Sequence, residues 1–286
     1  MRVTFPTGMQ RHFVEYTKLK SGLSWREFRS AVGIGNHRNY RYEITSLPFE
    51  VFRKALKVGM VTEGRAKRFR YRIIKIGAEN LVQLPQNKDL AELVGICLGD
   101  GHLRPYVMSV FGDKFRDTVY LRDHVLPLVQ RVLRVRAKVN TARPDENFVV
   151  VYSASASRSL HAAGLPFGDK IKNHARIPEW IFKKKTFLRA CIRGLFDTDG
   201  CVYGFKRKLG CSASKAIISF EFGPGSFLAT DVETALMQLG YLPRMMPHRN
   251  ECRLAYNKDI VRFMNEIRPA NEKHQQNFLR WHGPVV

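Results

Sequence analysis

The chain has 286 residues, 48 Lys+Arg against 25 Asp+Glu, a formal net charge of +23 and five cysteines. At roughly 100–200 residues per domain that length predicts two or three domains, and a 44% hydrophobic, 11% aromatic composition excludes wholesale disorder. With no run near the roughly 20 apolar residues of a membrane span, no apolar signal segment and no C-x-x-C pair, the reading is an intracellular chain without membrane, disulfide framework or zinc ribbon.

Such an excess of positive charge makes nucleic acid the default partner, because neutralising phosphates releases condensed counterions. The charge is denser at the front: residues 1–87 hold 17 Lys+Arg and 6 Asp+Glu, whereas residues 88–286 hold 31 and 19. Residues 1–82 read as a small basic, mainly helical domain. Ser24-Trp-Arg-Glu27 is a capping box, after which Trp25, Phe28 and Val32 share a helical face and Gly33-Ile-Gly35 stops the helix. Asn36-His-Arg-Asn-Tyr-Arg-Tyr42 follows as a possible recognition helix with Arg38 and Arg41 as DNA contacts, and a helix from Pro48 turns Phe49, Phe52 and Leu56 inward. Helix, glycine turn and basic helix resemble a helix-turn-helix module, although such hairpins are also common structural units. Phe69–Ile76 alternates like a strand, and residues 77–88 read as a linker.

From residue 88 the chain repeats itself. Leu93-Val-Gly-Ile-Cys-Leu-Gly-Asp-Gly101 recurs as Ile192-Arg-Gly-Leu-Phe-Asp-Thr-Asp-Gly200, each ending an apolar helical run. After each come alternating strand segments (Val107–Phe111; Ile217–Phe222), a helix (Tyr120–Leu133; Phe227–Leu239) and a strand pair ending at Val149–Tyr152 or Arg253–Tyr256. A last short helix runs from Leu160 to Lys170 and from Phe263 to Lys273. Each half, 88–175 and 186–282, is therefore helix–strand–strand–helix–strand–strand–helix, joined by residues 176–185.

Asp100 and Asp199 each close a helix just before Gly101 or Gly200, glycine being expected there for its tolerance of positive φ. An acid at a helix C-terminus opposes the dipole. Gly95 and Gly194, one turn earlier, would let the two helices pack closely and bring both acids to one end. Two such carboxylates make sense around hard divalent cations, which take carboxylate and carbonyl oxygens; a single copy would favour a plain Asp-Gly turn, but two copies in so basic a chain favour the metal.

Both nonamers match the pattern of the LAGLIDADG homing endonucleases, and the resemblance covers residues 88–282. It implies an α+β fold in which two pseudo-symmetric αββαββα repeats meet along the motif helices. Their two four-stranded antiparallel sheets would form a saddle on the DNA major groove. It further implies that Asp100 and Asp199 bind Mg²⁺ at the scissile phosphates, with Mn²⁺ as a substitute and Ca²⁺ supporting binding without cleavage. The Gly99 and Thr198 carbonyls become further ligands, and each strand is cut across the minor groove to leave short 3′ overhangs. There are departures: the sixth motif position is Asp197 in one copy but Leu98 in the other, and Arg193 replaces a small residue, either loosening the helix contact or forming a local ion pair. Lys170, in Gly164-Leu-Pro-Phe-Gly-Asp-Lys170, matches a frequent Gly-x-Lys block. The repeat register sets Lys273 opposite, and both are candidates to stabilise the phosphorane or to contact phosphate. Ser109, Ser219 and Glu221 are candidate polar partners by position.

DNA readout would fall to the strands and loops carrying Arg104, Lys114, Arg116, Arg136, Lys138, Arg143, Lys206, Arg207, Lys208, Arg249 and Arg253, since Arg suits guanine and Lys suits phosphate. The expectation is a monomeric Mg²⁺-dependent double-strand DNA endonuclease with a long target site. Its rivals are a catalytically silent DNA-binding regulator and an RNA-splicing maturase on the same fold. An intein is disfavoured by the Met1 start and the Pro-Val-Val286 end.

Overall fold

A computed structural model describes residues 2–6, 8–35, 37–41, 46–74, 83–141, 144–206 and 214–282. The backbone divides into two compact units, Met1–Asn80 and Leu81–Val286.

In the first unit, β1 (Arg2–Thr4) pairs antiparallel with both β2 (Leu47–Pro48) and β3 (Arg72–Ile74). The helices are α1 (Met9–Ser21), α2 (Trp25–Val32), α3 (Arg38–Arg41), α4 (Phe49–Val58) and α5 (Glu63–Ala66). The capping box closes on both sides: the Glu27 N–H donates to Ser24 Oγ at 3.3 Å, and the Ser24 N–H donates to Glu27 Oε2 at 2.8 Å. Gly33, at φ +75°, ends α2 in the left-handed region that favours glycine. Val3, Phe13, Phe28, Leu47, Phe52 and Phe69 form the core, with Phe13 and Phe52 stacked at 4.9 Å. Three findings differ from the sequence reading. The unit carries a three-stranded sheet; β3 lies within the expected 69–76 strand, whereas β1 and β2, at three and two residues, are too short for any alternation to register. The basic segment after Gly35 forms one four-residue helical turn, Arg38–Arg41; Asn36, residues 42–45 and the side chains of Arg38 and Arg41 lie outside the described residues, as do residues 75–76 of the expected strand and 77–82 of the linker. Phe69 is the buried residue of a 3₁₀ turn, Lys67–Phe69, rather than part of the strand.

The second unit opens with α6 (Lys88–Gly99), whose first turn is capped by Asn87 Oδ1 accepting from the Leu90 N–H at 2.9 Å. There follow β4 (Gly101–Arg104), β5 (Val107–Asp113), α7 (Thr118–Tyr120), a π-helical turn at Leu121–Val125 and α8 (Leu126–Leu133). The half closes with β6 (Lys138–Asn140), β7 (Glu146–Val151) and α9 (Ala154–Ala162). After the short α10 (Glu179–Phe182) the plan recurs: α11 (Lys185–Asp199), β8 (Gly200–Lys206), β9 (Ser214–Glu221), α12 (Leu228–Gln238), β10 (Arg244–Met246), β11 (Glu251–Leu254) and α13 (Asn257–Ile267). A further helix, α14 (Glu272–His282), ends the described chain. The sheets have equivalent antiparallel orders, β4-β5-β7-β6 and β8-β9-β11-β10. The unit is therefore an α+β fold of two pseudo-symmetric αββαββα halves.

Period-two alternation decides which sheet face is buried. Met108, Val110, Val149 and Val151 join the motif-helix core, as do Val202, Ile218, Phe220, Cys252 and Leu254 in the other half. The opposite faces carry the cross-strand pairs Phe111–Phe148 and Ser219–Arg253. The terminal helices of the halves stop before the two lysines, contrary to expectation. Gly164, at φ +113°, follows the end of α9, so Lys170 sits in a turn. Arg268 at φ +52° and Pro269 end α13, so Lys273 falls in the first turn of α14.

Candidate active site at the ends of the paired helices

The motif helices α6 and α11 pack backbone to backbone, and their glycines are the reason. A Cβ at Gly95 would run into the Cys191 carbonyl, one at Gly194 into the Glu92 carbonyl, and one at Gly99 into the Thr198 side chain. Gly101 and Gly200 are needed for a different reason from the one expected. Neither has positive φ, and Gly200 is extended at φ −80°, ψ 155°. Instead, an added Cβ would meet Cys97 and Phe196 of the helix just left. The chain doubles back so sharply from helix to strand that no side chain fits.

This packing brings Asp100 and Asp199 within electrostatic reach of each other. Burial, followed by the charge of Asp100, pushes Asp199 up to about 7, while Lys170 and Lys273 oppose the shift. Asp100 is also raised by burial; the two lysines again counteract it and Asp117 adds to it. Asp100 lines an open cleft of about 510 Å³ with Gly99, His102, Arg104, Phe111, Glu146 and Lys170, so the acidic end opens onto residues of the first sheet.

The two lysines reach the same carboxylates by unequal routes. Lys170 Nζ donates to the Leu98 carbonyl at 2.9 Å and also to the Gly99 carbonyl, where a cation complements the helix C-terminus. Lys273 Nζ instead donates to Asp117 Oδ1 at 3.0 Å. Asp117 lies just before α7, and sequence reasoning misses it. Its other bonds come from Asn271 Nδ2 at 2.7 Å and the Asp113 N–H at 3.0 Å. The sequence signal at this point is the helix-initiating Asp-Thr at 117–118, which indicates capping rather than a site.

At the sixth motif position, where the copies differ, Asp197 is structural. It accepts the Ala270 and Asn271 N–H groups, each at 3.0 Å, and so ties α11 to the turn before α14. Arg193 forms the ion pair, bonding Glu92 across the helix interface, with His124 Nε2 2.6 Å from the other carboxylate oxygen. Burial alone would raise Glu92; hydrogen bonds from His124 and Arg193 outweigh it and hold the carboxyl below its usual range.

Could these residues hold a divalent cation? Among the described residues no group of three or more His, Cys, Asp or Glu forms a metal site. Asp100 and Asp199 are nonetheless two desolvated oxygen donors that repel one another, which fits a hard cation keeping several waters. The Gly99 carbonyl already accepts from Lys170, so it becomes a ligand only when that ammonium yields. Thr198 Oγ1 donates to the Gly194 and Leu195 carbonyls at 3.0 Å each, which leaves its backbone oxygen for any ligand role.

The expected DNA-contacting residues are scattered. Arg104, Arg116, Arg136, Lys138 and Arg249 are exposed, and Lys114 is half-buried in the loop after β5. Arg104 Nε donates to His102 Nε2 at 2.8 Å. Arg253 is held by Glu251 through Nε (2.5 Å) and Nη2 (2.6 Å), a bidentate clamp on the same buried carboxylate that accepts from Ser219. Arg143, Arg207, Lys208 and the Lys206 side chain lie outside the described residues. Ser109 is buried in β5, and Glu221 lies opposite Glu251 in the β9–β11 register.

No protein-family model matches the chain. It is 31% identical over 137 residues to the tRNA-splicing ligase RtcB of Methanopyrus kandleri and 28% identical over 141 residues to that of Pyrococcus furiosus. Each match spans 43% of this chain but only 14% of the ligase. Among solved structures it is similar to mesophilic variants of the homing endonuclease I-DmoI (16% identity, 63% of this chain and 94% of that one, TM-score 0.42). It is also similar to the LAGLIDADG meganuclease I-AabMI bound to uncleaved DNA (12%, 66% and 87%, 0.45) and to the meganuclease I-SmaMI bound to uncleaveable DNA (11%, 68% and 88%, 0.44). At these TM-scores the fold rests on the sheet orders and helix pairing described above. No helix among the described residues is long and apolar enough to cross a membrane.

Proposed function

We propose that the chain is a divalent-metal-dependent, site-specific double-strand DNA endonuclease that acts as a monomer on a long target. The observation that carries this reading is the convergence of Asp100 and Asp199, one from each half, at one end of glycine-packed helices with Lys170 and Lys273 beside them. One carboxylate per half, in a fold with two antiparallel sheets, suits one cut per strand of a pseudo-symmetric duplex. A net charge of +23 supports a polyanionic substrate, and the basic unit at the front is proposed as a second DNA-binding element.

Hydrolysis forms a bond from water oxygen to phosphorus and breaks the bond to the 3′ oxygen. A bound Mg²⁺, or Mn²⁺ in its place, would supply charge neutralisation at the phosphate and lower the pKa of water. Asp100 and Asp199 would hold that ion, whose charge would offset the burial that raises both carboxyls. Lys170 and Lys273 would meet the non-bridging phosphate oxygens as negative charge builds there. His102, Arg104 and Phe111 would line the approach of the duplex.

The test is incubation with a randomised duplex plasmid library in Mg²⁺, Ca²⁺ and EDTA, followed by sequencing of the ends. Mg²⁺-dependent ends enriched at one long sequence, with binding but no ends in Ca²⁺, are expected. Tight duplex binding with no ends in Mg²⁺ or Mn²⁺ would instead identify a silent DNA-binding regulator. Preference for structured RNA over duplex DNA would point to a maturase.

A further inference from the structure

The two halves share sheet order and motif yet anchor their lysines differently, and this asymmetry has consequences. Lys170 is bound by backbone carbonyls of its own half. Lys273 reaches across the pseudo-symmetry axis to Asp117 of the other half. Asp117 is 7% exposed and fixed on every side. The Asp113 N–H and Asn271 Nδ2 hold its oxygens, and strand β5 comes close because residue 112 is glycine, where a Cβ would sit 2.8 Å from the Asp117 Cβ. Asn271 is itself locked, its own N–H on Asp197 Oδ1 at 3.0 Å and its Nδ2 shared with the Asp197 carbonyl at 3.2 Å. A rigid carboxylate thus restrains a long side chain that is otherwise rich in rotamers.

We infer that Asp117 is a positioning residue: it fixes Lys273 beside the Asp100–Asp199 pair, and it makes one strand's cleavage depend on a contact the other strand's cleavage does not use. The inference rests on the endonuclease reading. Asp117 acts through Lys273, which its carboxylate holds, whereas Lys170 is held by the Leu98 and Gly99 carbonyls instead of a carboxylate. Loss of Asp117 therefore unbalances the two cuts instead of slowing them together.

The experiment uses the full chain and a supercoiled plasmid carrying its recovered target, with nicked and linear products followed in time and the nick mapped to a strand. The parent should pass to linear product with little nicked circle. Asp117→Asn should accumulate nicked circle, with one strand slowed about tenfold or more and Kd for the duplex in Ca²⁺ unchanged. Asp117→Glu should recover part of the lost rate. Lys273→Met should slow the same strand, and Asp117→Asn added to it should do no further harm, the signature of residues acting as one unit. Lys170→Met should not reproduce that strand bias. Should Asp117→Asn melt several degrees lower, Lys273→Met reads the same bias while leaving Asp117 its bonds to Asn271 and Asp113. Equal slowing of both strands in Asp117→Asn and in Lys273→Met would overturn the inference while leaving the endonuclease reading intact. A parent that cuts no duplex would overturn the endonuclease reading and this one with it.

Discussion

Glu92 on α6 and Arg193 on α11 bond to each other across the helix interface. His124, from the π-helical turn, holds the second carboxylate oxygen at 2.6 Å. Glu92 is 2% exposed, so its charge is tolerable only because both oxygens are met. The pair also distinguishes the halves: Val94 stands where Arg193 stands in the second copy, so the arginine and its acid occur once and key one helix to the other.

Removing one partner of a buried pair leaves an uncompensated charge. Arg193→Met should therefore destabilise the second unit by about 2–4 kcal/mol, less than for a wholly orphaned carboxylate because His124 remains. Glu92→Gln together with Arg193→Met should recover much of that loss. Urea denaturation of the three proteins decides it, and a single variant as stable as the parent would make the bond dispensable.

The glycine packing predicts sharper losses. Gly194→Ala forces a methyl into the Glu92 carbonyl and the Ile96 backbone nitrogen, neither of which can rotate away. Overpacking of a rigid interface costs about 1–3 kcal/mol, occasionally more, and misaligned helices would also separate Asp100 from Asp199. Gly64→Ala is the control: it lies in α5 with nothing within 4 Å of an added Cβ, and helix propensity should make it neutral or up to about 1 kcal/mol stabilising. Circular-dichroism melts of both variants compare them directly.

The second unit is largely legible in the sequence because the repeat doubles every signal: an ambiguous apolar run at 88–99 becomes a motif helix once 185–199 repeats it. The role of Gly95 and Gly194 follows from spacing alone. That of Gly101 and Gly200 does not, since an Asp-Gly step after a helix implies positive φ locally, and only the reversal of the chain against Cys97 and Phe196 reveals a steric demand. Asp117, Asn271 and His124 leave no mark because their partners lie 32–156 positions away. In the first unit the alternation at 69–76 marks β3, but β1 and β2 span three and two residues, too few for periodicity to speak.

His274 supplies a pH dependence. It is 1% exposed, its ring tilted against that of Phe196 with centroids 4.4 Å apart. Burial, with Lys273 nearby, pushes it down to about 3. The unfolded chain takes up a proton near pH 6.5 that the folded chain refuses until about pH 3. Stability from this residue is therefore full above about 6.5 and is lost as pH falls from 6.5 toward 3. His274→Phe should flatten the acid limb of a stability–pH curve over that interval. An unchanged limb would mean that His274 is solvated.

The front unit has its own core and a dense positive charge. If it meets DNA, deleting residues 1–82 should reduce the slope of log K against log salt by about 0.9 for each phosphate no longer neutralised. Mg²⁺-dependent cutting should remain measurable at high protein concentration. A slope that does not change would take this unit off the DNA.

Asp199 has the opposite sign to His274. Its carboxyl is pushed up to about 7, first by burial and then by Asp100. Between the ordinary value of 3.8 and about 7 the folded chain keeps a proton that the unfolded chain releases. The stability this confers is full below 3.8 and disappears as pH rises through 7. At pH 8 without metal the ionised group is thus a burden, on the order of a few kcal/mol at most. Asp199→Asn should melt higher than the parent in EDTA at pH 8, and the gap should shrink as pH falls toward 5. Mg²⁺ should raise the parent's melting temperature by mass action and hardly move the variant's, while duplex cutting disappears in the variant. If Asp199→Asn melts lower in EDTA at pH 8 and Mg²⁺ leaves the parent unmoved, Asp199 is a structural turn residue, and the paired-carboxylate site falls with it.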